Sequence, residues 1–290
     1  MIDRRQFTSL AAMLAAAPAL ARSPAPLDLK AVVQGAETHT GGRIGLTVHD
    51  TATGRRFSHR GDERFPMAST FKALLVAAML ERVDQGKDRL DRAIAIARRD
   101  IIANSPTSEK HVGGTATIAE LAKATIIYSD NTAANLLLPA VGGPAGFTAW
   151  LRRIGDPATR LDRIEPMMSE ATPGDPRDTT TPNAVAATWE NVLLGDILAP
   201  ASRQQLTDWL IANTTGDTRL RAGLPKGWRV GDKTGTGDNG TVNDVAIAWP
   251  SRATPGPIFI ASFINGGTAP SDTLYAAHAE LARAIAAALG

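Results

Sequence analysis

Strand-like segments stand at both ends of this chain and helical segments fill the middle, and that order restricts the fold more than any other feature. Near the start, Arg43-Ile44-Gly45-Leu46-Thr47-Val48 alternates with the period of a strand. Asp50-Thr51-Ala52-Thr53-Gly54 is turn chemistry, and Arg56-Phe57-Ser58 returns as the paired strand. Near the end, residues 228–233, 242–249 and 258–263 read as strands, and 271–289 as an apolar helix. Residues 27–37 read as a short helix broken by Gly41-Gly42. Between the ends, Thr117-Ile118-Ala119-Glu120 fits a capping box, and Thr181-Pro182 sets an N-cap before a proline that opens a helix through Leu193. The expected fold class is α/β of the α+β type. Both chain ends build one antiparallel sheet flanked by helices, and an all-helical domain is inserted between them. The predicted division is 22–60 plus 212–290 for the sheet domain and 61–211 for the helical one, with a ligand cleft at their junction.

Ser69-Thr70-Phe71-Lys72 lies at the mouth of the apolar run Ala73-Leu74-Leu75-Val76-Ala77-Ala78-Met79-Leu80. On a helix, a spacing of three sets the serine hydroxyl and the lysine amine on one face, one turn apart. A serine at a helix N-terminus can serve as N-cap, and the orphan N–H groups there favour developing negative charge. The hydroxyl needs a base within hydrogen-bond reach, and a lysine kept partly neutral by burial can be that base. Ser-x-x-Lys alone is a weak signal. Two further motifs follow in order: Ser129-Asp130-Asn131 and Lys233-Thr234-Gly235. Ser-x-x-Lys, Ser-Asp-Asn and Lys-Thr-Gly in this order are the signature of class A β-lactamases and penicillin-binding proteins.

Between the second and third motifs, Arg160-Leu161-Asp162-Arg163-Ile164-Glu165-Pro166, followed by the proline-rich stretch Thr172-Pro173-Gly174-Asp175-Pro176-Arg177-Asp178, resembles the Ω-loop of class A serine β-lactamases, here spanning about 160–178. Phe65-Pro66-Met67-Ala68 and Gly231-Asp232 resemble the same family, and the resemblance covers essentially the whole chain after its leader. It implies a β-lactamase/D,D-peptidase-like fold, β-lactam substrates, antibiotic resistance as the outcome, no cofactor and no metal.

The resemblance also assigns roles. Ser69 is the acyl acceptor, and Lys72 orients its hydroxyl and shuttles a proton. Ser129 relays a proton to the leaving β-lactam nitrogen, and Glu165 activates the hydrolytic water. Pro166 implies a cis bond that turns Glu165 inward. Asn131 positions the substrate's side-chain amide, and Lys233 with Thr234 faces its carboxylate. Gly235 lets the strand approach the ligand without a Cβ. The backbone N–H groups of Ser69 and Thr236 form the oxyanion hole, worth roughly 2.7–4 kcal/mol per donor. Asp130 anchors its loop, and Arg163 with Asp178 closes the base of the Ω-loop.

Three positions depart from the family pattern. Ser169 replaces an asparagine that helps hold the hydrolytic water, Asn104 replaces an aromatic residue at the cleft mouth, and Val242 replaces an arginine found in some members. Arg219 matches the alternative arginine position of other members, so the carboxylate-binding charge is expected from there. Two alternatives stay open at this point: a penicillin-binding D,D-peptidase, and a β-lactam receptor that is acylated once and not turned over.

The chain has 290 residues, 43% hydrophobic and 21% charged, with net charge +2, which is ordinary globular composition. No basic block marks a nucleic-acid or anionic-membrane surface, and Arg98-Arg99 and Arg152-Arg153 read as solvated helix faces. There is no cysteine, which excludes disulfides, a thiol nucleophile and cysteine-held metal. The five histidines are scattered without metal-binding spacing. Residues 1–21 read as an export signal: Arg4-Arg5 with Phe7, the apolar stretch 10–20, and Ala19-Leu20-Ala21 as cleavage site. The paired arginines resemble a twin-arginine leader, with Asp3 at a position where Ser or Thr is usual and Sec export as the fallback. The expected mature protein is a monomer in the periplasm or outside the cell, without stable membrane association.

Overall fold

A five-stranded antiparallel sheet gathers both ends of the chain in the computed structural model, which describes residues 27–289. The expected export signal lies outside the described residues. In chain order the elements are α1 (Lys30–Thr40), β1 (Arg43–Asp50), β2 (Arg56–His59), β3 (Phe65–Pro66) and α2 (Phe71–Asp84). Next come β4 (Ala93–Ala95), β5 (Thr115–Thr117), α3 (Ile118–Ile127), α4 (Asn131–Leu137) and α5 (Gly143–Arg153). Then follow β6 (Thr179–Thr180), α6 (Pro182–Leu194), α7 (Pro200–Ile211) and α8 (Leu220–Gly223). The chain closes with β7 (Arg229–Gly237), β8 (Thr241–Trp249), β9 (Ile258–Asn265) and α9 (Ser271–Leu289).

The sheet order is β2-β1-β9-β8-β7, so the N-terminal hairpin pairs with the last strand and β7 is an edge. Thr47 opposes Ala261, which opposes Val245, and Asp244 opposes Thr234. Alternate residues of β9 explain the two cores. Ile258, Ile260 and Ile264 pack with Leu46, Val33, Leu281 and Ile285 on the side of α1 and α9. Phe259, Ala261 and Phe263 point the other way, into a core shared with α2 and α6. A sheet covered on both faces needs apolar residues on both, which is why β8 and β9 read as continuous apolar runs rather than clean alternations.

Helices α3 and α6 start where the sequence placed them. Thr117 and Glu120 form the expected capping box ahead of α3. Asp130 caps α4 through Ala133 N, and Thr181 caps α6 through Ala184 N with Pro182 in the first turn. Helix α2 is buried all round from Phe71 through Glu81, so it has no polar face and forms the centre of the helical layer. Gly41 ends α1 at φ +66°, a left-handed conformation that costs glycine little.

Three expectations need correction. Helix α1 runs three residues later than the pattern 27–37 suggested, because Asp28 bonds the Lys30 N–H and delays the first turn. Strand β7 runs on through Gly237, past the third motif, held by its ladder to β8. Ser69 is not an N-cap: it sits in a single 3₁₀ turn (Ala68–Thr70), no side chain caps α2, and its hydroxyl bonds Lys72 instead. Arg152 and Arg153 lie on an exposed face, as expected, but both guanidiniums are tethered there. Arg153 pairs with Glu81, and Arg152 donates to the Asp156 and Thr159 carbonyls.

Candidate active site

The turn before α2, the loop before α4, the 160–178 loop and the edge strand β7 meet in one cleft of about 440 Å³. Ser69, Ser129, Glu165, Thr234 and Arg219 all line it. Two of its corners use left-handed backbone at non-glycine residues: Ala68 at φ +43° beside Ser69, and Ser129 at φ +56°. Such conformations are uncommon and persist where surrounding packing holds them.

Lys72 is the hub. Its Nζ donates to Ser69 Oγ at 2.9 Å, the Ser129 carbonyl at 2.8 Å and Asn131 Oδ1 at 2.5 Å, and lies 3.2 Å from Glu165 Oε1. Ser69 Oγ donates to Glu165 Oε1 at 3.1 Å, so the hydroxyl touches both candidate bases. Lys72 is fully buried, and burial pulls its pKa below the usual lysine value, against the pull of the Glu165 charge in the other direction. An amine shifted that way releases its proton more readily than an ordinary lysine.

Glu165 is 2% exposed. The Glu165–Pro166 peptide is cis, as the sequence suggested. Ser169 Oγ donates to Glu165 Oε2 at 3.0 Å. Asn135, to which the sequence reading gave no role, fixes the glutamate backbone from α4. Its Nδ2 donates to the Glu165 carbonyl at 2.8 Å, and its Oδ1 accepts from Glu165 N at 3.1 Å. The available signal was Asn135 four residues after Asn131, one turn along the same helix face.

Below Glu165, Asp178 is 1% exposed and accepts from Arg163 Nε at 2.6 Å, Arg163 N at 2.9 Å and Asp162 N at 2.7 Å. Asp162 reciprocates by accepting from Asp178 N at 3.0 Å. Asp130 accepts from the N–H groups of Thr107, Ser108 and Ala133, which ties the second motif to the 104–108 segment. Asn104 is exposed at the cleft mouth, and its Nδ2 donates to the Ser129 carbonyl at 3.1 Å.

The third motif forms the opposite wall. Lys233 Nζ donates to Ser129 Oγ at 3.1 Å and to the Thr234 carbonyl at 2.9 Å. Burial, then the nearby Lys72 charge, lowers its pKa to about 7. A Cβ on Gly235 would stand 2.7 Å from the Met67 carbonyl oxygen and 3.2 Å from Ser69 N, so only glycine lets β7 lie this close to the serine. Asn243, unassigned from sequence, supports that contact from β8 by donating to the Pro66 and Met67 carbonyls.

Arg219 is 5% exposed, donates to the Gly235 and Asn243 carbonyls and to Thr236 Oγ1 at 2.6 Å, and stacks 4.6 Å from the Tyr275 ring centroid. Thr215 Oγ1 lies 2.5 Å from Thr234 Oγ1. Tyr128, Thr215 and Tyr275 also line the cleft, and no local motif marks them. Every site residue expected from sequence therefore lines this cleft, bonds to its lining as Lys72 and Lys233 do, or braces the loops around it. Among the described residues no cluster of three or more His, Asp or Glu side chains is arranged to hold a metal ion. No helix among them is long and apolar enough to cross a membrane.

A buried serine flanked by a lysine and a glutamate, on a helical domain inserted beside an antiparallel sheet, defines an acyl-transferring serine hydrolase of the β-lactam-reactive class. A family model described as "Beta-lactamase enzyme family" matches residues 28–289. Beta-lactamase L2 of Stenotrophomonas maltophilia is 48% identical over 253 residues, 87% of this chain and 82% of that one. Beta-lactamase Toho-1 of Escherichia coli is 49% identical over 219 residues, 76% of this chain and 75% of that one. Among solved structures, an ancestral class A β-lactamase (GNCA) superposes with TM-score 0.88 at 59% identity, covering 90% of this chain and 100% of that one. A β-lactamase of Xanthomonas campestris gives TM-score 0.87 at 50% identity, covering 90% and 97%. The chain belongs to the class A β-lactamases, serine hydrolases of the β-lactam ring.

Proposed function

We propose that Ser69 opens the β-lactam amide of penicillins and cephalosporins and that Glu165 then directs hydrolysis of the acyl-enzyme. In acylation the Ser69 proton passes to Lys72 or Glu165, which both touch the hydroxyl, while Oγ forms the ester bond and the amide C–N bond breaks. Ser129 delivers a proton to the departing nitrogen, replenished from Lys72 or Lys233, both within hydrogen-bond range of its hydroxyl. The N–H groups of Ser69 and Thr236 stabilise the oxyanion in both halves of the reaction. Lys233, Thr234 and Arg219 hold the substrate carboxylate, and Asn131, Ser169 and Asn104 flank its side chain. In deacylation Glu165 takes a proton from water, the resulting hydroxide attacks the ester, and Ser69 leaves and regains its proton.

One observation carries the hydrolase reading: the Glu165 carboxylate lies in the cleft 3.1 Å from the nucleophile and is oriented through Ser169 and Asn135. A D,D-peptidase or a receptor needs no such carboxylate. Nitrocefin in large excess over purified protein tests it. Many turnovers are expected, and a single stoichiometric burst would overturn the reading.

Residues 27–60 plus 212–289 serve as the sheet domain and 61–211 as the helical one, while 22–26 and 290 of the predicted division lie outside the described residues. The protein acts as a monomer, exported by the twin-arginine leader at 1–21. Cell fractionation of an Arg4→Lys/Arg5→Lys variant, expected to retain the enzyme in the cytoplasm, tests the route.

A further inference from the structure

A second cleft of about 400 Å³, sharing no lining residue with the β-lactam cleft, runs along α5 and the first residues of the 160–178 loop. Arg64, Arg152 and Arg160 line it, and Asp162 is its one acidic residue. The three arginines converge on a single short segment. Arg64 Nη1 donates to the Ala158 carbonyl at 2.9 Å and to Thr179 Oγ1 at 3.0 Å. Arg152 Nη1 donates to the carbonyls of Asp156 and Thr159 at 2.5 and 2.7 Å. Arg160 follows directly and pairs with Asp162 at 2.6 Å.

The charges do not balance. Among the described residues neither Arg64 nor Arg152 has a carboxylate within ion-pair distance. Asp156, in the middle of the segment, is 2% exposed and turned away. Its oxygens accept from Ala158 N, Thr159 N and Thr188 Oγ1. Carbonyl partners orient a guanidinium but do not neutralise it. Each of the two arginines spends Nη1 on the protein and leaves Nη2 and Nε without a protein acceptor. Pre-oriented forks with free donors are the chemistry that recognises tetrahedral oxyanions, because guanidinium geometry matches two oxygens of such a group at once.

We propose that this cleft binds a phosphate-type oxyanion, held between Arg64 and Arg152 with Arg160 at its edge. No step of β-lactam hydrolysis uses these residues. Bound there, the anion would offset the repulsion across residues 156–160 and so steady the start of the loop that carries Glu165.

The test is thermal unfolding of the full chain with inorganic pyrophosphate, against sodium chloride at equal ionic strength. Tm should rise along a saturation curve, by about 5–10 °C at a hundredfold excess over Kd, and chloride should not reproduce it. In Arg64→Gln/Arg152→Gln protein the amides keep donors for the carbonyls but the charge is gone, so Kd should weaken at least tenfold. Hydrogen exchange on the unsubstituted protein is a check that needs no variant: pyrophosphate should protect the amides of 156–162. Phosphatidylglycerol vesicles in a parallel arm separate a lipid headgroup from the free anion, and binding by either, lost in the double variant, supports the site. A Tm rise equal to that of chloride, an undiminished rise in the double variant, or protection confined to the Ser69 cleft would overturn it.

Discussion

Lys72 Nζ and Glu165 Oε1 stand 3.2 Å apart with Ser69 Oγ within hydrogen-bond distance of both, and neither side chain is open to solvent. The serine therefore has two proton acceptors, while an incoming water has only the carboxylate. Glu165→Ala should separate the two half-reactions. Acylation persists with Lys72 as base, helped because the loss of the Glu165 charge lets burial lower the lysine pKa further. Deacylation stalls. Intact mass after mixing with a penicillin should show a lasting single adduct, and steady turnover near the parent rate would remove Glu165 from the proposed role.

The order of strands and helices and the three short motifs were legible because they are local: period-two alternation, a capping box, a serine and lysine one turn apart. What was not legible is long-range. Asn135 reaches Glu165 from a different element, and Asn243 reaches the Met67 carbonyl from a strand far along the chain. Nothing near Tyr275 announces that the C-terminal helix will set its ring against Arg219. The left-handed Ala68 and Ser129 carry no glycine to mark them, since packing rather than propensity fixes their backbone. Arg152 is an exposed helix arginine, and no local pattern announces its tethering by carbonyls four and seven residues away.

Lys233 should make substrate capture sensitive to pH. In the fold its pKa drops from 10.5 to about 7, so the amine keeps its charge only below that pH, whereas the unfolded chain keeps it up to 10.5. The folding penalty is full below about pH 7 and is relieved as pH rises toward 10.5. Substrate binding runs the opposite way, because the carboxylate needs the charged form. We expect kcat/KM for a penicillin to fall above pH 7, approaching about tenfold per unit at the limit. Lys233→Arg protein should show no such fall between pH 7 and 9, and an identical profile for both proteins would exclude Lys233 as the titrating group.

The Arg163–Asp178 pair should hold the loop in place. Asp178 is 1% exposed and receives three hydrogen bonds, so Asp178→Asn leaves Arg163 without its main counter-charge. Breaking buried pairs of this kind costs about 3–5 kcal/mol. Arg163 keeps 16% exposure and its contact with Glu170, which favours the lower end of that range. A fall in Tm of roughly 6–12 °C is expected. Deacylation should slow more than acylation, because Glu165 rides on the loop and Ser69 does not. Unchanged Tm together with unchanged hydrolysis would show that the pair is dispensable.

Tyr275 should act on the substrate through Arg219. Its ring covers a guanidinium that burial otherwise disfavours in the charged form. Removing the ring in Tyr275→Ala loses a cation–π contact worth about 0.5–1 kcal/mol, equivalent to about a two- to fivefold rise in KM with kcat nearly constant. Tyr275→Phe keeps the ring face and should behave like the parent. If the alanine variant loses kcat rather than KM, the ring supports the fold of the cleft and not carboxylate binding.

Ser169 decides how tightly the water beside Glu165 is held. Its hydroxyl spends its single proton on Glu165 Oε2 at 3.0 Å, so towards a water it can act only as an acceptor. An asparagine at this position has two donors and a carbonyl on a longer arm, and could hold the carboxylate and the water together. The shorter serine leaves more room on that side of the cleft, which suits bulky or bent acyl groups. Ser169→Asn should therefore raise the deacylation rate of a small penicillin relative to that of a carbapenem. Single-turnover kinetics with both substrates resolves acylation from deacylation, and an unchanged ratio of the two deacylation rates would show that this hydroxyl does not set the substrate balance.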